Sequence, residues 1–297
     1  MTQPISTDAE LDALIRKAHT LMEALPHIQR FRGATVVIKY GGHAMIQPEL
    51  KQSVMQDVVL MESVGIKPVI VHGGGPEITA LMEKMGIKPE FVDGQRVTTA
   101  ETLDVAEMVL AGKLAGEIVT HLGTLGGRAV GLSGKDGGLI TARRLTGKGG
   151  RDIGFVGEPE EIDPAIIRVL DKGGFIPVVS PIGIDRDGQT YNINADTVAA
   201  ELATAVGAQK LILLTDVRGI LRDPKDPSTL IPRITIPEVE PLITQGVITG
   251  GMIPKVRACV KAIQLGVGST HILDGRIPHA LLTELFTDQG VGTMICQ

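Results

Sequence analysis

"VIVHGGGPEI", residues 69–78, is a short apolar run closed by a histidine, three glycines and a proline. A β-branched run followed by such residues reads as a strand turning directly into the start of a helix. Three glycines in succession ask what must approach the backbone so closely. A tight turn needing positive φ would account for one or two of them. Backbone N–H groups at a helix N-terminus, with Pro76 at the first helical position, also attract a carboxylate or phosphate. Residues 36–42, "VVIKYGG", repeat the design with Lys39 near the end of the strand. A lysine there is costly unless an anion pairs with it, the alternative being a stem that snorkels to solvent. The two turns are read together as holding different parts of one anion-binding site.

Working outward, apolar β-branched strand candidates recur at 35–39, 68–72, 128–132, 176–180, 209–215 and 270–273. Helical patterns fall between them, at about 48–64, 76–85, 99–121, 163–172, 195–206 and 254–265. The alternation predicts an α/β fold with a largely parallel central sheet, whose ligands sit at the carboxyl ends of the strands. The Gly-rich stretch "TGKGGRDIGFVGEPEEID" (146–163) reads as a hairpin and loop excursion. A lobe boundary is expected near "DRDGQTYN", residues 185–192. In the N-terminal segment, Leu11, Leu14, Ile15, Ala18, Leu21, Met22 and Leu25 form one apolar helical stripe. Thr7 and Glu10 suggest a capping box at its start, and Pro26 a stop. That helix precedes the first core strand, so the sheet does not require it. It either packs on its own domain or buries its stripe against another subunit.

Composition narrows the function. With 297 residues, 43% hydrophobic, the chain can bury a substantial core. A formal net charge of -5 gives no electrostatic case for nucleic acid or an anionic membrane surface. The first residues carry acids and no continuous apolar stretch, so they are not read as a signal peptide. Cys259 and Cys296, far apart and without metal-ligand spacing, are expected to be reduced thiols of a cytoplasmic protein. "GLSGKD" and "RLTGKGG" fail the phosphate-binding P-loop pattern, and neither a dinucleotide fingerprint nor a protein-kinase signature occurs. A phosphate-handling enzyme would need another scaffold.

Further polar residues sit at element ends. Arg96, in "GQRVT", could hold a carboxylate through paired hydrogen bonds, or be a surface arginine. "NINAD" places Asn192, Asn194 and Asp196 at alternate positions before an Ala-rich helix, which Asp196 could simply cap. "LLTDVRGI" ends a strand with Thr215 and Asp216, and "GGMIPK" puts Gly250 and Gly251 before a helix whose first turn holds Lys255.

The order of "IKYGG", "VHGGGPEI", "GQRVT", "NINAD", "LLTDVRGI" and "GGMIPK", from about residue 33 to the C-terminus, resembles the amino-acid kinase family, in its branch acting on N-acetyl-L-glutamate. The resemblance implies an open αβα sandwich with a mostly parallel sheet and an extra N-terminal helix. It divides the chain into that helix (1–30), an acyl-substrate and dimerisation lobe (31–187) and an ATP lobe (188–297). The implied reaction is ATP-dependent phosphorylation of the γ-carboxylate of N-acetyl-L-glutamate, a step of arginine biosynthesis, with Mg²⁺ carried on the ATP. Carried over by motif, Lys39, Lys255 and Asp196 are catalytic, while Gly74, Gly75, Arg96, Asn192 and Asn194 bind the substrate. Gly41, Gly42, Thr215, Asp216, Gly219, Leu221 and Gly250 lie at the ATP phosphates and nucleotide. No residue is assigned as a metal ligand. The segment "THILDGRIPHALLTELFTDQGVGTMI" resembles that of arginine-sensitive members, which implies arginine as inhibitor around His271, Glu284, Gly290 and Gly292. The N-terminal helix then implies a homo-hexamer, a trimer of dimers.

Overall fold

The protein is described by a computed structural model over residues 8–297. Eight strands make one sheet: β1 (Thr35–Tyr40), β2 (Lys67–His72), β3 (Ala129–Ser133), β4 (Ile176–Ser180), β5 (Lys210–Thr215), β6 (Arg233–Thr235), β7 (Ser269–Asp274) and β8 (Thr293–Cys296). Their spatial order is β6-β8-β7-β5-β1-β2-β4-β3, and every neighbouring pair is parallel except β7 with β8. The central strands read as unbroken apolar runs because both faces of the sheet are covered. On one face Val37, Val69, Val71, Leu211 and Leu213 enter a core with α7 (Ala195–Val206) and α9 (Met252–Gln264). On the other, Val36, Ile38, Ile70, Ile212 and Leu214 pack with α2 (Pro48–Ser63), α3 (Gly75–Lys84) and α10 (Ala280–Phe286). The chain thus forms an αβα sandwich. β1 has β2 on one side and β5 on the other, so the direction of connection reverses at β1. Ligand crevices open at such a switch point.

Four short strands, Ile140–Arg144, Val156–Ile162, Ile182–Ile184 and Thr190–Ile193, close into a small barrel beside the sheet. The Gly-rich excursion lies largely in the antiparallel hairpin of the first two. The segment expected to divide the lobes forms the turn between the last two, which are also antiparallel.

One helix expectation needs correction. Pro26 does not stop the first helix: α1 runs Asp8–Phe31 straight through it. The last turns are held by packing that outweighs the missing hydrogen bond at the proline. Phe31 is buried, Ala24 and Ile28 pack on the core, and Lys210 Nζ lies 5.2 Å from the Phe31 ring centre. Upstream, the apolar stripe is uncovered within one chain, with Leu21 73% and Met22 62% exposed. Thr7, the expected capping residue, lies outside the described residues. The long helix expected over 99–121 is present as one continuous run with a π-helical stretch inside it. It is α4 (Ala100–Glu107), a π-helical segment Met108–Leu114, and α5 (Ala115–Thr124). Two further helices, α6 (Ala165–Lys172) and α8 (Ile236–Thr244), complete the layers. Among the described residues no helix is long and apolar enough to cross a membrane.

Candidate active site

β1 and β2 end side by side, with Tyr40 paired to His72, so their two glycine turns open into one cleft. The cleft is lined by both turns and by Asn194 and Asp196 at the start of α7 and Lys255 at the start of α9. Lys39 is nearly buried, and its Nζ lies 3.3 Å from Asp196 Oδ1. Lys255, in the first turn of α9, hydrogen-bonds the other oxygen of the same carboxylate. Burial alone would raise the Asp196 pKa, but the two ammonium groups, Lys39 first, hold it below the ordinary carboxylate range. One carboxylate therefore binds two cations, so this three-residue cluster holds one positive charge in excess, with Glu77 a second acid elsewhere in the cleft lining.

Asp196 is free for this because it does not cap α7. Asn194 does: its Oδ1 accepts from the N–H groups of Asp196 (2.8 Å) and Thr197 (3.2 Å). The alternation of Asn192, Asn194 and Asp196 thus ends early. Asn192 is still in a strand, with its amide 3.4 Å from Thr98 Oγ1, and it is not part of the cleft lining.

The three glycines have different neighbours. A Cβ on Gly74 would stand 2.5 Å from Leu114 Cδ1 and 2.7 Å from Leu110 Cδ2, both from the π-helical segment. A Cβ on Gly75 would meet no protein atom within 4 Å, and one on Gly73 would make only ordinary contacts. The protein therefore demands glycine only at the middle position; around the other two the space belongs to the cleft. Among the described residues neither the Gly74 nor the Gly75 N–H meets a protein acceptor. Arg96 lies just below. It is buried, donating to Gly75 O (2.8 Å) and Thr79 Oγ1 (2.7 Å), with its guanidinium 4.7 Å from the centre of the Phe91 ring. It has no carboxylate partner among the described residues, and burial draws its pKa below the usual value.

Gly41 and Gly42 begin the short turn after β1. Gly42 has φ 71°, and a Cβ there would come 2.3 Å from Asp216 Oδ1, so Asp216 sits directly against this turn. Thr215 ends β5, its hydroxyl 3.0 Å from Val217 O in its own loop and 3.1 Å from Leu273 O, with one proton to give to either. Gly219 takes φ 139° against Thr293, Leu221 bridges to Leu230, and Gly250 takes φ 54° ahead of α9. Thr215, Asp216, Gly219, Leu221 and Gly250 are not in the cleft lining. Met45, Glu77 and Ala195 do line it and were not singled out in the sequence. Glu77 and Ala195 stand inside quoted motifs, whereas Met45 had no signal beyond its nearness to Gly42.

The arginine-site candidates gather elsewhere, at the opposite edge of the sheet. His271 Nδ1 lies 2.7 Å from Glu284 Oε1, and Glu284 Oε2 accepts the Val291 N–H at 2.9 Å. Gly290 is required because a Cβ would press within 2.8 Å of the Glu284 carboxylate, and Gly292 because one would strike Ile272 O at 2.2 Å. The sequence reading missed Lys210, whose Nζ lies 2.8 Å from His271 Nε2. Burial pulls its pKa down to about 8. A lysine at the start of a buried strand was the available signal.

The fold and the cleft define a protein that handles anionic groups at the carboxyl edge of an αβα sandwich. The model of the amino acid kinase family matches residues 34–274, and the chain belongs to that family. It is 56% identical over 289 residues to the acetylglutamate kinase of Heliobacterium modesticaldum, covering 95% of this chain and 98% of that one. With the acetylglutamate kinase of Synechocystis sp. it shares 58% over 275 residues, covering 93% and 92%. Among solved structures, N-acetylglutamate synthase from Neisseria gonorrhoeae, complexed with coenzyme A and N-acetyl-glutamate, superposes with a TM-score of 0.84 at 28% identity. That match covers 94% of this chain but 63% of the synthase, so the synthase has a further part without counterpart here. Carbamate kinase from Giardia lamblia, at 19% identity and a TM-score of 0.64, shares the fold.

Proposed function

We propose that this protein transfers the γ-phosphoryl group of ATP to the γ-carboxylate of N-acetyl-L-glutamate, an acetylglutamate kinase reaction of arginine biosynthesis. The observation that carries the reading is the pair of lysines, Lys39 and Lys255, sharing the half-buried Asp196 over two glycine turns, in a chain so similar to named acetylglutamate kinases. A carboxylate oxygen attacks the γ-phosphorus while the bond from that phosphorus to the ADP oxygen breaks, leaving an acyl phosphate and ADP. The acceptor, with a pKa of about 4.3, is already ionised, so no general base is needed. The difficulty is to bring one anion onto another, and positive charge with backbone N–H groups around the transferred phosphoryl meets it. Lys39 reaches the site from β1 and Lys255 from α9, while Asp196 orients both. Gly74 and Gly75 offer N–H groups, and Arg96 is the buried cation for a substrate carboxylate, with Asn192 and Asn194 beside the acyl substrate. Gly41, Gly42, Thr215, Asp216, Gly219, Leu221 and Gly250 belong to the ATP half. The first lobe (31–187) then carries the acyl substrate and the second (188–297) the nucleotide.

Mg²⁺ would sit on the ATP phosphates and neutralise their charge. Among the described residues no three His, Cys, Asp or Glu side chains gather to enclose a metal. We further read the protein as cytoplasmic. An ADP-release assay offering N-acetylglutamate, glutamate, aspartate and carbamate tests the reaction. Turnover with N-acetylglutamate alone supports it, and equal turnover with carbamate overturns it.

Arginine is the proposed inhibitor, acting at His271, Glu284, Gly290 and Gly292 beside the end of α1. A related synthase has been solved with L-arginine, at 27% identity. The exposed stripe of α1 needs a cover, and a second copy of α1 supplies one in a hexameric trimer of dimers. Deleting residues 1–26 should leave an active dimer that arginine inhibits poorly. A hexamer in light scattering, or a dimer with unchanged inhibition, contradicts the assembly role or the coupling respectively.

A further inference from the structure

None of the roles above uses His72, although it stands next to the three glycines as the last residue of β2. Its ring is fully buried, and burial pushes its pKa down to about 4, so it is neutral at physiological pH. Nδ1 lies 2.9 Å from Gly73 O, and Nε2 lies 2.9 Å from the hydroxyl of Ser180, the last residue of β4. That hydroxyl is in turn 3.1 Å from Leu110 O in the π-helical segment.

Counting protons assigns this chain. Both ends are carbonyls, which only accept. Three gaps need three hydrogens, and a neutral imidazole with one hydroxyl carries two. Leu110 O already accepts the Ala115 N–H, so it can do without the hydroxyl proton. Gly73 O has no other donor among the described residues. Nδ1–H therefore donates to Gly73 O, and the Ser180 hydroxyl donates to Nε2.

Gly73 is then held at both ends, since its own N–H donates to Tyr40 O at 2.8 Å. In a trans peptide the next N–H points opposite to the carbonyl, so fixing Gly73 C=O fixes where the Gly74 N–H faces. The same π-helical segment that meets Ser180 presses Leu110 and Leu114 onto Gly74 from its other side. We propose that His72 is a positioning residue for the phosphoryl transfer: as the Nδ1–H tautomer, fixed by Ser180, it locks the Gly73 carbonyl so that the Gly74 N–H stays aimed at the anion in the cleft, while the Gly75 N–H is set by the Gly74 carbonyl accepting from the Ile78 N–H. The proposal rests on the reading that the cleft carries out that transfer.

Two experiments test it. His72→Ala should lower kcat by about 10²-fold, the scale of a small misplacement of catalytic groups, with both KM values near wild type. His72→Asn keeps an N–H donor where Nδ1 stands and should recover most of the loss. Equal losses in the two variants, or a loss confined to KM, overturn the proposal. Long-range ¹H–¹⁵N spectra of the unmodified protein report the ring without any activity. They should show Nδ1 protonated and Nε2 bare from about pH 5 to 8. The opposite tautomer, or an imidazolium, overturns it. If the wild-type protein releases no ADP with N-acetylglutamate, the functional reading fails, while the tautomer is still decided by the spectra.

Discussion

Two lysine–carboxylate clusters occupy opposite edges of the same sheet, and they are balanced differently. At the carboxyl edge, Lys39 and Lys255 share the single carboxylate of Asp196, and a cleft opens beside them. At the other edge Lys210 meets His271, which is bound to Glu284, and the Phe31 ring lies 5.2 Å from the ammonium. There Lys210 acts on the single acid Glu284, Arg30 is a second cation that acts on Lys210, and Glu284 is further satisfied by the Val291 N–H. Both clusters are buried, so burial alone does not mark a reactive site. The informative difference is how the acid is shared: two ammonium groups hold the single Asp196 carboxylate beside an open cleft whose lining also includes Glu77, an arrangement suited to a visiting anion.

Removing a lysine's charge at each of the two edges should separate them most widely. Lys39→Ala and Lys255→Ala are each expected to lower kcat by about 10²–10³-fold, as for loss of one preorganised charge contact. Arg96→Ala should mainly raise the KM for N-acetylglutamate. Lys210→Met should keep near-wild-type kcat, because its cluster serves no transferred charge; steady-state kinetics on the variants check all four. A collapse of kcat in Lys210→Met would erase the distinction.

The glycine turn sharpens the comparison at a smaller scale. Gly74→Ala forces a methyl against Leu110 and Leu114 and is expected to cost about 1–3 kcal/mol of stability in denaturant unfolding. Gly75→Ala meets no protein atom, so its stability should hold while activity falls, the methyl standing in the anion's space. Equal destabilisation of both would mean that the turn is packed rather than open.

A still finer effect is pH-dependent. The folded pKa of His72, about 4, lies below its unfolded value of about 6.5, so the unfolded chain binds more protons between them. The contribution is present above pH 6.5 and is lost as pH falls toward 4. From pH 7 to 5 the wild type should lose about 2 kcal/mol more than His72→Asn. Parallel pH profiles for the two proteins would contradict the buried neutral ring.

The central strands were legible because burial on both faces writes an unbroken apolar run, as in residues 36–38 and 211–214. β6 and β8 were not, since three or four residues carry no period. The π-helical segment is invisible for a related reason: over seven residues its spacing cannot be told from that of an α-helix. Pro26 misled because the docking of Ile28 and Phe31, a tertiary effect, overrides a local stop signal. In the site, Lys39, Asp196 and Lys255 were legible as polar residues at element ends. That Asn194 takes the cap and frees Asp196 is a matter of backbone geometry, which "NINAD" leaves open.

The central claim is that the two lysines on Asp196 serve the transition state rather than the bound substrates. Calorimetry with ADP, Mg²⁺, N-acetylglutamate and a planar metal fluoride standing in for the transferring phosphoryl tests it most directly. The account expects wild type to bind this ternary mimic far more tightly than ATP or N-acetylglutamate alone. Lys39→Ala and Lys255→Ala should lose that advantage while still binding the separate substrates. Variants that bind the mimic as tightly as wild type would contradict the account.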